Sequence, residues 1–494
     1  MFIINSIVIT ISGIVMRTLS VAFGVYVSNK IGSEALGIFQ IVTSIYMFFI
    51  TLATSGISLA STRVVSEELV SNNISGSKKA MKQCIIYSFC IGIISGIMLF
   101  LSSPFISINW LHEKTSYIPF YILSISLPFI SVSSAITGYF YALRKVYKNS
   151  SSQIINQFIR IFATTYLLNL FLPRGLEWAC ISLVLGSTIS EILSCTYLFG
   201  LYKFNNKKNT NSNCILDYKK RIFKITIPVS ITSYIRSGLS TLKQILIPMR
   251  LEHSGLSREQ ALSKYGIITG MTMPILMFPG SFLTAFSELL IPEFSDYNYT
   301  GSHKQINYIM SRILKITFIF SILIAGIFWT FSNELSILLY KNIEVSFFLK
   351  SMCLLAPLIY VDNIIDGILK GLNKQVGVML TNILDLFITI TFIYFLLPIQ
   401  GVYGYIIILF ISEILNLIIS LIILIRTTNL KINFHNWIIK PCIGLIFAYS
   451  TTIIIKLDNP NILIKFILGL ILFIISYLGF LIFSSCINMD DLQL

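Results

Sequence analysis

Long apolar runs, each closed by a short polar stretch, recur from one end of this chain to the other. Each holds 18 residues or more, enough for a helix to cross about 30 Å of hydrocarbon. They fall at about 5–28, 37–62, 84–110, 117–141, 152–172, 176–202, 222–248, 265–291, 309–331, 346–370, 375–398, 402–426, 437–456 and 461–486, which predicts fourteen transmembrane helices. The polar connections are short. The longest, KFNNKKNTNSNCILDYKKR (203–221), has 19 residues, so no room is expected for a catalytic domain outside the bilayer. The first run, from about Asn5 to Ser28, is too long for a signal-peptide core. It lacks a basic leader and a small-residue cleavage pattern, and is expected to be a retained first helix.

One span breaks the apolar rule. In SYIRSGLSTLKQILIPMRL (233–251), Arg236, Lys243 and Arg250 recur every seven residues. At about 100° per residue, seven steps drift only about 20°, so the three cations share a helix face. Each Arg or Lys near a bilayer centre costs about 2.5–3.5 kcal/mol on insertion scales, and such residues usually face water or a partner.

Composition agrees with the runs. The chain is 55% hydrophobic and 12% charged, with a mean hydropathy of +0.82; soluble domains carry about 25% charged residues. The net charge of +15 reads as cytoplasmic-loop lysine and arginine, and no nucleic-acid partner is expected. With the N-terminus inside, inner loops and flanks hold 22 of the 36 cations, outer ones 10, and four lie within spans. That bias predicts a multi-pass protein of the cell membrane with both termini cytoplasmic. The eight cysteines are scattered through apolar runs and the four histidines fall singly in loops, so neither a metal, a cofactor nor a disulfide is expected.

The chain also meets itself. Shifted by 229 residues, PFISVSSAITGYFYALRKVYKNSSSQIINQFIRI (128–161) lies over PLIYVDNIIDGILKGLNKQVGVMLTNILDLFITI (357–390), with 11 identities in 34 positions. Pro128/Pro357, Gly138/Gly367, Leu143/Leu372 and Lys145/Lys374 are among them, and Gly37 falls on Gly266. Further on, ISEILS (189–194) echoes ISEILN (411–416) at a slightly shorter offset. Spans 1–6 and 7–12 therefore read as two copies of one six-helix unit in the same orientation, with spans 13 and 14 outside the duplication. The expected domains are an N-lobe (1–202), a cytoplasmic linker (203–221), a C-lobe (222–427) and a C-terminal pair (428–494). Transporters built from such repeats place substrate between the halves and rock one against the other.

Within the spans, MRTLS (16–20) matches IRSGLS (235–240) with one residue inserted, pairing Arg17 with Arg236. Arg17, Arg236 and Lys243 are candidates for an anion-binding cavity, with Arg250, just after Pro248, at its outer mouth. Arg160 shares a stripe with Gln153, Asn156 and Gln157 on span 5; a substrate role and a structural pair with Glu191 are both open. Asp362 and Asp366 on span 10 and Asp385 on span 11 form an acidic group that either binds Na⁺ or H⁺ for coupling or neutralises cations. Glu191 and Glu413 occupy matched repeat positions and point to packing. Cations facing a cavity suit a phosphate or pyrophosphate head group.

The block IPMRLEHSGLSREQALSKYGIITGMTMPILMFPGSFLTAFSELLIPEFSD (247–296) resembles the stage V sporulation protein B family, as does KIGSEALGIFQIVTSIYMFFITLATSGISLASTRVVSEEL (30–69). The resemblance runs over essentially the whole chain. It implies membership of the multidrug/oligosaccharidyl-lipid/polysaccharide (MOP) flippase superfamily: an all-α membrane protein of fourteen helices, with two pseudo-symmetric six-helix lobes in a V plus two C-terminal helices. It also implies export of lipid-linked cell-wall precursors by alternating access, tied to spore cortex peptidoglycan, and no enzymatic activity. Lipid II flippases of the superfamily are similar in having a cationic cavity built partly from a first-helix arginine, and Arg17 matches its neighbourhood. Where they carry an Arg–Asp pair later in that helix, this chain reads SVAFGVYVS (20–28). The resemblance thus carries an anionic lipid-linked saccharide in general as substrate, with membrane lipids as partners, spans 13 and 14 as a groove for a polyprenyl tail, and cell-wall synthases as further partners. A cation-coupled multidrug exporter of the same fold, a non-transporting scaffold and a membrane enzyme are the alternatives; no acid–base pair or metal cluster speaks for the last.

Overall fold

The computed structural model describes residues 2–110, 117–205, 218–428, 430, 433–454 and 461–486, with side chains from residue 12 onward apart from 176 and 303. Most of the 203–221 linker, and Cys214, His112, Lys114, Lys207, Lys208, Lys431 and Lys456, lie outside them. The described chain is helical throughout: α1 (Phe2–Thr54), α2 (Ile57–Val70), α3 (Ile74–Asn109), α4 (Tyr117–Ala142), α5 (Val146–Phe171), α6 (Leu176–Asn205) and α7 (Lys219–Glu252). There follow α8 (Arg258–Gly266), which runs through a π-helical segment (Ile267–Thr272) into α9 (Met273–Tyr299), then α10 (His303–Thr330) and α11 (Ser332–Tyr340). The last are α12 (Glu344–Met352), α13 (Leu355–Gly371), α14 (Gln375–Thr428), α15 (Lys440–Ile454) and α16 (Ile462–Phe483).

Helices and spans are not one to one, for reasons of backbone geometry. Two spans share α1, broken only at Gly32 (φ 80°, ψ 175°), and two share α14, broken at Gly401 (φ 54°, ψ −132°). A side chain is all but excluded from either conformation, so a single glycine turns the chain without a loop. Span 10 is the opposite case: α12 and α13 meet at a 53° bend and cross as one unit. Among the described residues, ten helices are long and apolar enough to span a bilayer unaided, or eleven with that bent pair. Dividing α1 and α14 at their glycines and adding the more polar α7 gives the fourteen spans expected.

The outward surface is what hydrocarbon demands. Along α3, Ile86, Phe89, Ile93, Ile97, Leu101 and Phe105 are all exposed, a continuous apolar face that water would not tolerate on a soluble protein.

The chain divides into two compact units, Met1–Phe23 with Ile31–Pro248, and Gly24–Lys30 with Met249–Leu494. Within the first unit, span 7 is stitched to span 2. Thr241 and Ser230 donate to the carbonyls of Ser44 (3.1 Å) and Ser55 (3.0 Å). Tyr234 donates to Leu52 O (3.2 Å), and Ser237 to Thr51 Oγ1 (3.1 Å). Near the start of α7, Arg221 pairs with Glu67, and the Tyr218 amide donates to Gln83. Positions 230, 234, 237 and 241 form one stripe, which Gly56 lets approach closely: a Cβ there would lie 2.9 Å from Thr226 Cα.

Both copies of the duplicated segment build the same local structure. Arg144 and Asn373, 229 residues apart, both adopt left-handed backbone after a helix (φ 57° and 60°). The next residue closes the same cap in each, Lys145 N to Phe140 O (2.9 Å) and Lys374 N to Leu369 O (2.8 Å). Gly138 and Gly367 press against Ser58 and Ser287, again 229 apart; an added Cβ would overlap the Ser58 carbonyl and Ser287 Oγ respectively. The buried cores agree too, Val132 and Ile136 in the first unit matching Val361 and Ile365 in the second. A satellite core joins α10 to the C-terminal helices, with Tyr477 donating to Ile319 O (3.0 Å).

Gly138→Ala and Gly367→Ala are each expected to cost about 1–3 kcal/mol through overpacking. Gly200→Ala, where an added Cβ meets nothing within 4 Å, is expected to be neutral or slightly stabilising. Thermal unfolding in detergent ranks the three; equal midpoints would mean that the helix contacts are looser than described.

Candidate functional site

The sequence singled out five cations and three acids, and the structure sorts them into separate settings. Arg17 and Arg236 are exposed and Lys243 is half-buried, all three on the first unit. On α7, Arg236 and Lys243 lie about 140° round the helix from the stripe that is bonded to span 2. The polar face of α7 is therefore two faces, one hydroxyl-rich and used for assembly, the other cationic and turned elsewhere.

Arg250 belongs to the second unit, beyond Pro248. Its guanidinium stacks over the Tyr394 ring, 3.7 Å from the centroid. Such stacking holds a cation in place while leaving its hydrogen-bonding edge available.

Arg160 turns into the first unit. It donates to Gln157 on its own helix, and Asn156, one turn back, donates to Glu191 Oε1 on α6 (3.0 Å). Gln157 is 2% exposed, and Arg160 lies close enough to feel the Glu191 charge. The same two helices are joined lower down by Ser152 and Ser194 (2.9 Å). Arg160 thus stands beside this interhelical network.

The acids are gathered in the second unit. Asp362 is buried and accepts from Asn416 Nδ2 (2.7 Å), while Asp385 accepts from Ser412 Oγ (2.6 Å) with Thr389 beside it (3.5 Å). Asp366, half-buried, stands one turn from Asp362 and adds to the charge around it. Asp362 Oδ1 and Asn416 Oδ1 are buried and accept no hydrogen bond. Among the described residues no three His, Cys, Asp or Glu side chains converge as a metal site would require. The donor set is one of mixed carboxylate, amide and hydroxyl oxygens, suited to a proton or a hard monovalent cation.

Asn416, Ser412 and Thr389 went unnoticed in the sequence as partners of the acids, as did Tyr394 as the partner of Arg250. The one usable signal was the ISEILS/ISEILN echo, whose last residue is Asn416. Elsewhere in the first unit a cleft of about 430 Å³ opens among Ile86, Phe89, Pro128, Phe129, Cys195 and Phe199. Its apolar lining suits a hydrocarbon chain and offers nothing to a head group.

Residues 2–298, more than half of the chain, match the polysaccharide biosynthesis protein family. The chain belongs to that family. It is 21% identical over 411 residues to stage V sporulation protein B of Bacillus subtilis (strain 168), covering 82% of this chain and 79% of that one. It is 24% identical over 410 residues to the lipid II flippase MurJ of the same organism, covering 74% and 72%. Among solved structures, a lipid II flippase MurJ in an inward closed conformation superposes with a TM-score of 0.71 at 16% identity, over 98% of this chain and 99% of that one. An inward-facing MATE family multidrug transporter of the MOP superfamily reaches 0.62 at 14% identity, over 86% and 99%. The fold is the one these structures share: an all-α, multi-pass membrane protein of fourteen spans.

A cysteine in place of Arg236 is expected to react with a membrane-impermeant thiol reagent in a chain freed of the exposed Cys90 and Cys442. A cysteine in place of Ser237, which faces Thr51, is expected to be protected. Equal labelling of the two would place the cationic stripe in lipid or in packing.

Proposed function

We propose that this protein moves an anionic, lipid-linked cell-wall precursor, an undecaprenyl-pyrophosphate saccharide or muropeptide, across the cytoplasmic membrane by alternating access. The observation that carries this reading is the cationic face of α7, Arg236 and Lys243, separate from the hydroxyl face that docks on span 2. An anionic ligand offsets the cost of a column of cations in a membrane span, and pyrophosphate is the anionic group such lipids carry. Arg17, Arg236 and Lys243 hold the head group, and Arg250, braced on Tyr394, is a further cation for the same substrate class. The naming of two relatives for sporulation and for lipid II flipping supports the substrate class and a place in spore cortex peptidoglycan synthesis. Both termini lie in the cytoplasm, α15 and α16 cradle the polyprenyl tail, and cell-wall synthases are the downstream partners.

The acids of the second unit are the coupling site. Asp362, Asp366 and Asp385 take up Na⁺ or H⁺, with Asn416, Ser412 and Thr389 completing the shell. A ligand shifts a conformational equilibrium only through differential affinity for the two states, and a buried carboxylate that is charged in one state and compensated in the other provides it.

The likeness to MATE transporters, together with these acids, favours a second reading, a cation-coupled exporter of organic cations. The MATE structure leaves 14% of the chain uncovered, the size of the 428–494 segment, whereas the MurJ structure spans 98%. That difference supports the lipid reading.

The decisive assay follows a fluorescent undecaprenyl-pyrophosphate disaccharide and a cationic dye across proteoliposome leaflets. Lipid movement without dye movement is expected. Lys243→Glu or Arg236→Glu is expected to reduce it by about 10–100-fold, the weight of a charge-assisted hydrogen bond, with unfolding unchanged. Dye movement alone would make this a drug exporter, and movement of neither by folded protein would make it a scaffold. In the same vesicles Asp362→Asn is expected to abolish dependence on a Na⁺ or H⁺ gradient; a gradient dependence like wild type would remove the acids from coupling.

A further inference from the structure

A cleft in the first unit stands open to lipid, and its counterpart in the second unit is filled by protein. In the first, α3 gives one wall through Ile85 and Phe89, α6 the other through Cys195 and Phe199, and α4 the floor through Phe129 and Val132. At the 229-residue offset, and 222 for the last helix, the second copy has Leu314, Phe318, Leu358, Val361, Leu417 and Leu421 there. All six lie in one core with Trp437, which is buried and stacked on Phe318 with ring centroids 6.3 Å apart. Trp437 stands beyond the duplicated segments, in the stretch that leads into α15. Among the described residues nothing takes its place in the first unit, where the cleft keeps a volume of about 430 Å³.

The shape of the cleft fits one hydrocarbon chain. It is closed where α3 meets α4: an added Cβ at Gly92 would lie 2.7 Å from Pro128 Cα, and at Gly96 2.8 Å from Ser124 O. From Gly92 back to Lys82 is ten residues, a rise of about 15 Å. That is half of the roughly 30 Å hydrocarbon layer, the depth of one leaflet. An empty apolar groove forfeits dispersion contacts that a lipid tail restores.

The open end carries charge. Lys82 is exposed one turn before Ile86, on the stripe that continues to Phe89. Lys203, one turn beyond Phe199, leans back over that ring with Nζ 5.4 Å from its centroid. Among the described residues neither lysine is in an ion pair. Two such cations at the mouth of an apolar groove complement an anionic head group above a buried tail.

We infer that this cleft binds a membrane phospholipid with an anionic head group. One acyl chain lies where Trp437 lies in the second unit, and the phosphate meets Lys82 and Lys203. The site is separate from the cationic face of α7 and from the tail groove assigned to α15 and α16. It holds a resident lipid, and it does not rest on the transport reading.

The test titrates the purified full-length protein in detergent with phosphatidylglycerol or phosphatidylcholine, reading bound lipid by native mass spectrometry and the unfolding midpoint. Wild type is expected to bind phosphatidylglycerol saturably and at least about tenfold tighter than phosphatidylcholine. Lys82→Gln/Lys203→Gln is expected to lose about 10–30-fold in affinity for phosphatidylglycerol and to bind the two lipids alike. Thr196→Trp, which sets an indole in the cleft, is expected to lose both lipids and to raise the lipid-free midpoint. Leu101→Trp, exposed elsewhere on α3, is expected to bind as wild type does. If Thr196→Trp does not fold, Cys195→Leu/Thr196→Ile, which installs the residues of the second copy, is expected to weaken both lipids. Equal affinities for the two lipids in wild type, untouched by the glutamine pair, overturn the inference. So does a folded cleft variant that binds phosphatidylglycerol like wild type. Displacement of phosphatidylglycerol by undecaprenyl pyrophosphate would give the cleft to a polyprenyl tail and overturn it as well.

Discussion

Hydrocarbon neither hydrogen-bonds nor solvates a charge, and the structure is organised by that refusal. Each polar group inside a span has to find its partner within the chain, which turns hydroxyls, amides and carboxylates into assembly devices. Ser44, Thr51, Leu52 and Ser55 meet α7 through four such bonds. Ser152, Asn156, Ser194 and Glu191 do the same between α5 and α6. With no hydrophobic drive between helices in lipid, the spans are held to one another by close packing and by these polar points.

The duplication shows which features that arrangement leaves free. Caps, glycine contacts and core positions repeat at a constant offset, since each is fixed by backbone geometry or volume. Several charges within the spans do not repeat: Ser133, Asn156 and Arg160 stand where the second copy has Asp362, Asp385 and Thr389. Once a pair of helices is joined by neutral hydrogen bonds, the ionisable groups beside them can diverge. A symmetric scaffold can in this way carry asymmetric chemistry.

The fourteen spans were legible because length and apolarity are additive properties of a run. The duplication was legible because Pro, Gly and Lys matched at one offset. What stayed hidden depends on single dihedrals or on distant partners. Nothing in the local pattern distinguishes Gly32 and Gly401, where helices turn, from other glycines in apolar runs. The union of span 7 with the first unit rests on hydroxyls that donate to backbone carbonyls, which leave no mark on the partner's side chain. The four cations within spans looked alike as charges, and only three-dimensional packing sets Arg160 among amides, as it sets Arg250 on a tyrosine ring.

The composition of α7 has a consequence for how the protein is made. This helix is not apolar enough to rank among those that cross a bilayer by length and composition, and its hydroxyls are met by three carbonyls and one hydroxyl of a helix synthesised some 180 residues earlier. During translation it reaches the membrane only after its receiving surface has been laid down. The acceptors that receive span 7 are in this way supplied by a segment made before it. The order of the two copies along the gene is in this sense part of the folding mechanism, and a circular rearrangement that placed residue 219 first would break it.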